Sequence, residues 1–215
     1  GMRGNTIQAF IQAGTLPADT LAAAVTRLEE SNFELPPGYR LEIGGESAER
    51  DRALGNLAST AAVLLVAMAA SLVLAFSSFR LAAVVATIGV LAVGLSMGSL
   101  WLFGYNFGFM AIVGTMGLIG VAINDSIVVL AALEADAEAR AGSKEAVVSV
   151  VVRSTRHVLA TTFTTTAGFL PLWVAGGGFW PPVAVSIGCG VLGATLLALT
   201  FVPAAFLLVR AKRSA

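Results

Sequence analysis

The sequence holds a single cysteine, Cys189, and a single histidine, His157, in 215 residues. One cysteine excludes an intrachain disulfide framework and a cysteine-based metal cluster. One histidine removes a histidine-based zinc site and argues against serine–histidine catalysis. Charge is scarce as well. Only 12% of residues are charged, against about 25% in an ordinary soluble domain. Thirteen Lys and Arg balance thirteen Asp and Glu, so a basic nucleic-acid binder is excluded. What is present in excess is apolar: 57% of the residues are hydrophobic and the mean hydropathy is +0.85. A disordered chain is excluded by that hydrophobicity. The composition describes a polytopic membrane protein with a small soluble part.

The charges cluster. Residues 1–52 carry five Arg and eight acids. The next charge after Arg52 is Arg80, and the next after that is Asp125. A cluster runs from Glu134 to Arg156, and the sequence is then uncharged until Arg210. A hydrocarbon core about 30 Å thick takes about 20 helical residues. Residues 53–79 supply one span. Residues 81–124 and 158–209 are each double length, broken at Gly104-Tyr105-Asn106-Phe107 and at Gly176 through Pro182. Five spans are expected, at 56–78, 81–103, 108–133, 158–175 and 183–209. Long apolar runs without strict alternation exclude β-barrel strands.

Lys and Arg at the loops between the spans, and at the tail, gather on one side. Arg80, then Arg140, Lys144, Arg153 and Arg156, then Arg210, Lys212 and Arg213 fall together, whereas the loops at 104–107 and 176–182 contain none. The positive side is expected to be cytoplasmic, with residues 1–52 outside and the tail at 210–215 inside. Trp101, Tyr105, Phe107, Trp173, Phe179 and Trp180 fit an outer aromatic belt. The start of the sequence has no apolar signal region. An exported head before an odd number of spans therefore suggests the C-terminal part of a longer chain in a bacterial inner membrane.

In the head, residues 6–12 alternate like a strand. Leu16-Pro17-Ala18-Asp19 opens a helix with Leu21, Val25 and Leu28 on one face, and residues 39–43 read as a second strand. This is a βαβ-type unit too small to bury its own core. Further along, 136–152 reads as a cytoplasmic surface helix between spans.

Asp125 lies inside the third span, between Asn124 and Ser126. An aspartate at the centre of an inserted helix costs about 2.5–3.5 kcal/mol on translocon scales. Such residues usually face the bundle and serve ion or proton pathways. The plainer alternative is a polar packing contact, with Asn124 and Ser126 as hydrogen-bonding glue. Carboxyl groups removed from water titrate several units above about 3.9, near neutrality. A proton crossing 100 mV releases about 2.3 kcal/mol, enough to support a solute gradient of about 40-fold. The fourth span offers Thr161, Thr162, Thr164, Thr165 and Thr166, of which Thr161, Thr164 and Thr165 share a face. These hydroxyls either serve Asp125 or bond carbonyls of their own helix. Gly188-Cys189-Gly190-Val191-Leu192-Gly193 matches a dinucleotide fingerprint in form only, since it lies in an apolar span after no strand.

Several segments together resemble the C-terminal end of a resistance-nodulation-division (RND) efflux transporter, most like the hydrophobe/amphiphile exporter branch. They are Leu35-Pro36-Pro37-Gly38-Tyr39 through Glu46, Gly117 through Val128, Arg156 through Thr162 with Gly168-Phe169-Leu170-Pro171-Leu172, and Phe201-Val202-Pro203-Ala204. The resemblance implies a mainly α membrane protein: five helices of a twelve-helix bundle after a partial α+β porter segment at 1–52. It implies a homotrimeric proton antiporter of the inner membrane, working with its own N-terminal half, a periplasmic adaptor and an outer-membrane channel among membrane lipids. No cofactor and no nucleic acid is implied. The relay typical of the family pairs aspartates in the fourth span with a lysine in the tenth and a threonine in the eleventh. Asn124 stands at the lysine position, beside Asp125, and Thr161 at the threonine position, beside Thr162; Thr165 extends the hydroxyl face.

The expected function is proton-driven export of amphiphilic compounds such as drugs. Export of lipid or metal ions is the alternative. Metal is disfavoured here because Met97, Met110 and Met116 form no close pair of soft ligands. A membrane scaffold is a further alternative, and an intramembrane aspartyl protease is disfavoured because the spans hold one aspartate.

Overall fold

The computed structural model describes residues 7, 17–31, 33, 35–38, 41, 46–176 and 180–211. Among these residues seven helices follow one another: α1 Pro17–Glu30, α2 Glu46–Phe76, α3 Phe79–Leu102, α4 Phe109–Ala135, α5 Ala137–Arg140, α6 Lys144–Val174 and α7 Pro181–Ala211. Among the described residues there is no strand. The chain divides into two compact units, Gly1–Ala61 and Ala62–Ala215.

In the first unit, α1 forms where Pro17 and Asp19 open a helix and Arg27 closes it. Leu21 and Val25 are its half-buried positions, and Leu28 is exposed. Most of residues 6–12 and 39–43, the two expected strands, lie outside the described residues.

The second unit is a helical bundle with α7 packed against α3, α4 and α6. The turns form where the sequence supplies them. Ser77 takes a left-handed conformation (φ +46°), and Ser78 then caps α3 by accepting from the Leu81 N–H. Gly104 (φ +71°) follows α3, and Gly108 begins α4. Asp136 caps α5, Ser143 caps α6, and Gly176 (φ +72°) follows α6. The core gathers Ile88, Leu118, Val129, Leu130, Leu133, Val191, Val202 and Phe206. Helices approach closely where side chains are small. A Cβ on Gly114 would fall 2.8 Å from Ser186 Cβ and 3.0 Å from Val183 Cα, so α4 meets the α7 backbone there with no space to spare.

Among the described residues, four helical segments are long and apolar enough to cross a membrane: Ser59–Phe76, Phe79–Leu102, Phe109–Ala135 and Pro181–Ala211. The mainly α polytopic class expected from the sequence is thus borne out. The remaining expected span, 158–175, falls in α6. That helix is long enough but less apolar, because five threonines occupy six consecutive positions. The expected surface helix near 136–152 is divided differently: α5 is one short turn, and α6 runs unbroken from Lys144 through the threonines to Val174. No breaker separates its polar first turns from its apolar part, and the one internal proline, Pro171, comes in the last turn.

Candidate functional site

Asp125 sits midway along α4 and is 2% exposed. Its neighbour Ser126 satisfies itself by donating to Ala122 O at 2.7 Å. The Asp125 carboxyl has no such arrangement. Its Oδ2 is buried without a hydrogen-bond partner, and the side chain that reaches the carboxyl is Thr161 of α6. Thr161 has one hydroxyl hydrogen. Its Oγ1 lies 2.8 Å from Val158 O and 3.4 Å from His157 O, both acceptors on its own helix. Turned to a backbone carbonyl, that hydrogen leaves Thr161 lone pairs toward Asp125; turned to Asp125, it donates to the carboxylate. A protonated carboxyl can donate to those lone pairs, and an ionised one cannot.

The other expected site residues divide. Asn124 lies on the exposed side of α4. Thr162 turns away to α7: its hydroxyl is 2.5 Å from that of Thr195, and each lies within reach of an i−4 carbonyl, Val158 O or Val191 O, so one hydroxyl donates across to α7 or α6 while the other donates to its own helix. Thr165 is half-buried. Thr166 donates to Gly188 O of α7 at 3.0 Å. The structure therefore brings Asp125 and Thr161 together, sets Thr162 into a helix-joining pair, and leaves Asn124 at the surface.

Two polar contacts were not anticipated from the sequence. Ser96 of α3 and Thr115 of α4 share a buried hydrogen bond at 2.6 Å. Arg210 at the end of α7 pairs with Glu134 at the end of α4, and its guanidinium lies 5.3 Å from the Phe206 ring centroid. The signal for the second was present: both charges are span-end residues on the same side. Among the described residues, no three His, Cys, Asp or Glu side chains come together as a metal site.

The fold and this buried carboxyl define a polytopic helical membrane protein with an ionisable group inside its bundle. The chain belongs to the AcrB/AcrD/AcrF family, whose model matches residues 1–210, so the resemblance to an RND efflux transporter is borne out. It is 32% identical over 177 residues to the nickel-cobalt-cadmium resistance protein NccA of Alcaligenes xylosoxydans xylosoxydans, covering 81% of this chain and 16% of that protein. It is 30% identical over 200 residues to the nickel and cobalt resistance protein CnrA of Cupriavidus metallidurans, covering 92% and 18%. Its fold matches the crystal structure of a heavy metal efflux pump with a TM-score of 0.72 and 26% identity, over 91% of this chain and 20% of that one. The chain thus spans about a fifth or less of the proteins it matches. These relatives are metal resistance proteins, and they do not support the expected drug export and multidrug resistance.

Proposed function

We propose that this chain is the proton-handling part of an RND exporter of divalent transition-metal cations, acting by antiport. The observation that carries the proton role is the buried Asp125 carboxyl, with one oxygen unpartnered and Thr161 beside it. A buried charge without a partner costs several kcal/mol, and binding a proton removes it. Release of that proton leaves the carboxylate facing Thr161 lone pairs. Reorienting the Thr161 hydroxyl from Val158 O toward the carboxylate would relieve this, at the cost of a bond within α6. Proton loading and the state of the α4–α6 contact are coupled in this way.

The cargo class is supported by the names of the relatives. The wide spacing of Met97, Met110 and Met116 does not oppose it. Nickel, cobalt and zinc are borderline ions that accept imidazole and carboxylate, so the lack of thioether pairs excludes little. The proposal includes an inner-membrane location with the Arg- and Lys-rich ends cytoplasmic, a homotrimer, and a periplasmic adaptor with an outer-membrane channel. The activity is transport and not catalysis.

The test uses the full-length protein in proteoliposomes. A proton gradient is expected to drive movement of nickel or cobalt, read by an entrapped metal-sensitive dye, with matching consumption of the pH gradient. Movement of a cationic dye-like drug without any metal flux would overturn the cargo assignment. Metal flux indifferent to the pH gradient would overturn the antiport.

A further inference from the structure

At the end of the bundle where α5 stands, a recess of about 810 Å³ lies between the α5–α6 corner and the last turns of α7. Its rim carries Arg140, Lys144 and Arg210, and its wall carries Ala204, Leu207 and Leu208. A second recess of about 350 Å³ shares Arg210 and adds Arg80.

The cations here exceed the anions. Arg210 donates from Nη2 to Glu134, yet its Nε is buried without a partner. Among the described residues, Arg80, Arg140 and Lys144 form no ion pair. The nearby acids are not on the lining. Asp136 caps α5 and pairs with Arg153, Glu145 accepts from Ser143, and Glu138 is exposed. The wall has the opposite character. Leu208 is 70% exposed on a helix apolar enough to cross a membrane.

A cationic rim above an apolar wall, at the end of a membrane helix, fits one chemistry: a phosphate monoanion carrying hydrocarbon chains. A free phosphate would use the rim and leave the wall in contact with other molecules. A zwitterionic lipid would use the wall but bring its own cation to the rim. The geometry points to an anionic phospholipid such as phosphatidylglycerol, its phosphate held among Arg140, Lys144 and Arg210 and an acyl chain lying along Leu207 and Leu208. Such a lipid holds the α5–α6 corner against α7. This site is separate from Asp125 and does not depend on the transport reading.

The experiment is native mass spectrometry of the delipidated full-length protein, titrated with phosphatidylglycerol and with phosphatidylcholine of the same chains. Phosphatidylglycerol is expected to bind about tenfold more tightly, as two or more unpaired interfacial cations imply. R140Q/K144Q is expected to erase that preference, whereas R153Q, outside the recess, keeps it. Should the double variant misfold, salt serves in its place: raising ionic strength from about 0.05 to 0.5 M shortens the screening length and should remove most of the preference in the unaltered protein. Glycerol phosphate at millimolar concentration should not displace the lipid. Equal binding of the two lipids, a preference that survives R140Q/K144Q or high salt, or full displacement by glycerol phosphate would each overturn the site.

Discussion

Helix α4 carries two acids with opposite fates. Glu134 stands at its end and is met by Arg210 from α7. Asp125 stands in its middle, nearly fully enclosed, with one oxygen unpartnered and, among the described residues, no ion pair. The end of a span is cheap for charge, because long side chains reach the interface and partners gather there. The middle is costly, and a carboxyl is retained there without a partner only where something other than stability requires it. The first acid reads as a clasp between helices and the second as a group that changes state.

The largest effects should come from exchanging these fates. Asp125→Asn in the full-length protein is expected to lower proton-coupled transport at least about 100-fold, as loss of a proton-transfer group does, with expression and thermal midpoint unchanged or raised. Glu134→Gln should do the reverse. It leaves Arg210 without its counterion and should cost about 1–3 kcal/mol of stability, less than for a fully enclosed pair because the two side chains keep 22% and 16% exposure. Transport per folded molecule should persist. Thermal unfolding and vesicle flux measured on both variants decide it. A transport-competent Asp125→Asn, or a Glu134→Gln that is stable but inactive, would dissolve the distinction.

Of these two acids, the sequence marked only Asp125. Asp125 is the lone charge between Arg80 and Glu134 and stands out, and the break at 104–107 that bounds its helix was legible from Gly104 and the aromatic cluster. The Glu134–Arg210 clasp was hidden because 76 residues separate the partners and each alone reads as an ordinary span-end charge. The threonine run was legible as unusual but not in its division. Which hydroxyl meets α4 and which meets α7 depends on the rotation of α6, and i, i+3, i+4 spacing does not fix that. Thr161 and Thr165 share a face by spacing, yet Thr161 is the one that reaches Asp125. The continuity of α6 was also missed, because the polar residues before Val158 look like a boundary and only packing shows the helix passing through them.

The same contrast of clasp and moving part extends to α4 and α7. Gly114→Val would drive a branched side chain into Ser186 and the Val183 backbone. Overpacking of this kind costs about 1–3 kcal/mol, and here the backbone contact leaves no side chain to yield. A lowered thermal midpoint is expected, with Asp125 chemistry affected only through loss of folded protein. Thr162→Val should cost less, about 0.6 kcal/mol, the average for a hydrogen bond between membrane helices, because Thr195 keeps its own bond to Val191 O. A transport defect in Thr162→Val as large as in Thr161→Val would show that the α6–α7 pair belongs to the relay after all.

The smallest effect lies outside the spans and tests the clasp idea at a water-facing site. Asp136 accepts from the N–H of Ala139 and of Glu138, and faces Arg153 at 3.3 Å. The Ala139 N–H foremost, then Glu138 and Arg153, hold its carboxyl below the usual carboxylate range. A group so lowered contributes stability above its unfolded value, and loses it as pH falls through the folded value. Asp136→Asn keeps a capping oxygen and removes only the charge. At neutral pH the unaltered protein should therefore be slightly the more stable of the two, and the gap should close as the solution is acidified below about pH 4. Parallel thermal scans from pH 7 to pH 3 read that gap directly. A gap for Asp136→Asn that is constant over the whole range would mean that the cap works through its shape alone, and that Arg153 adds nothing to it.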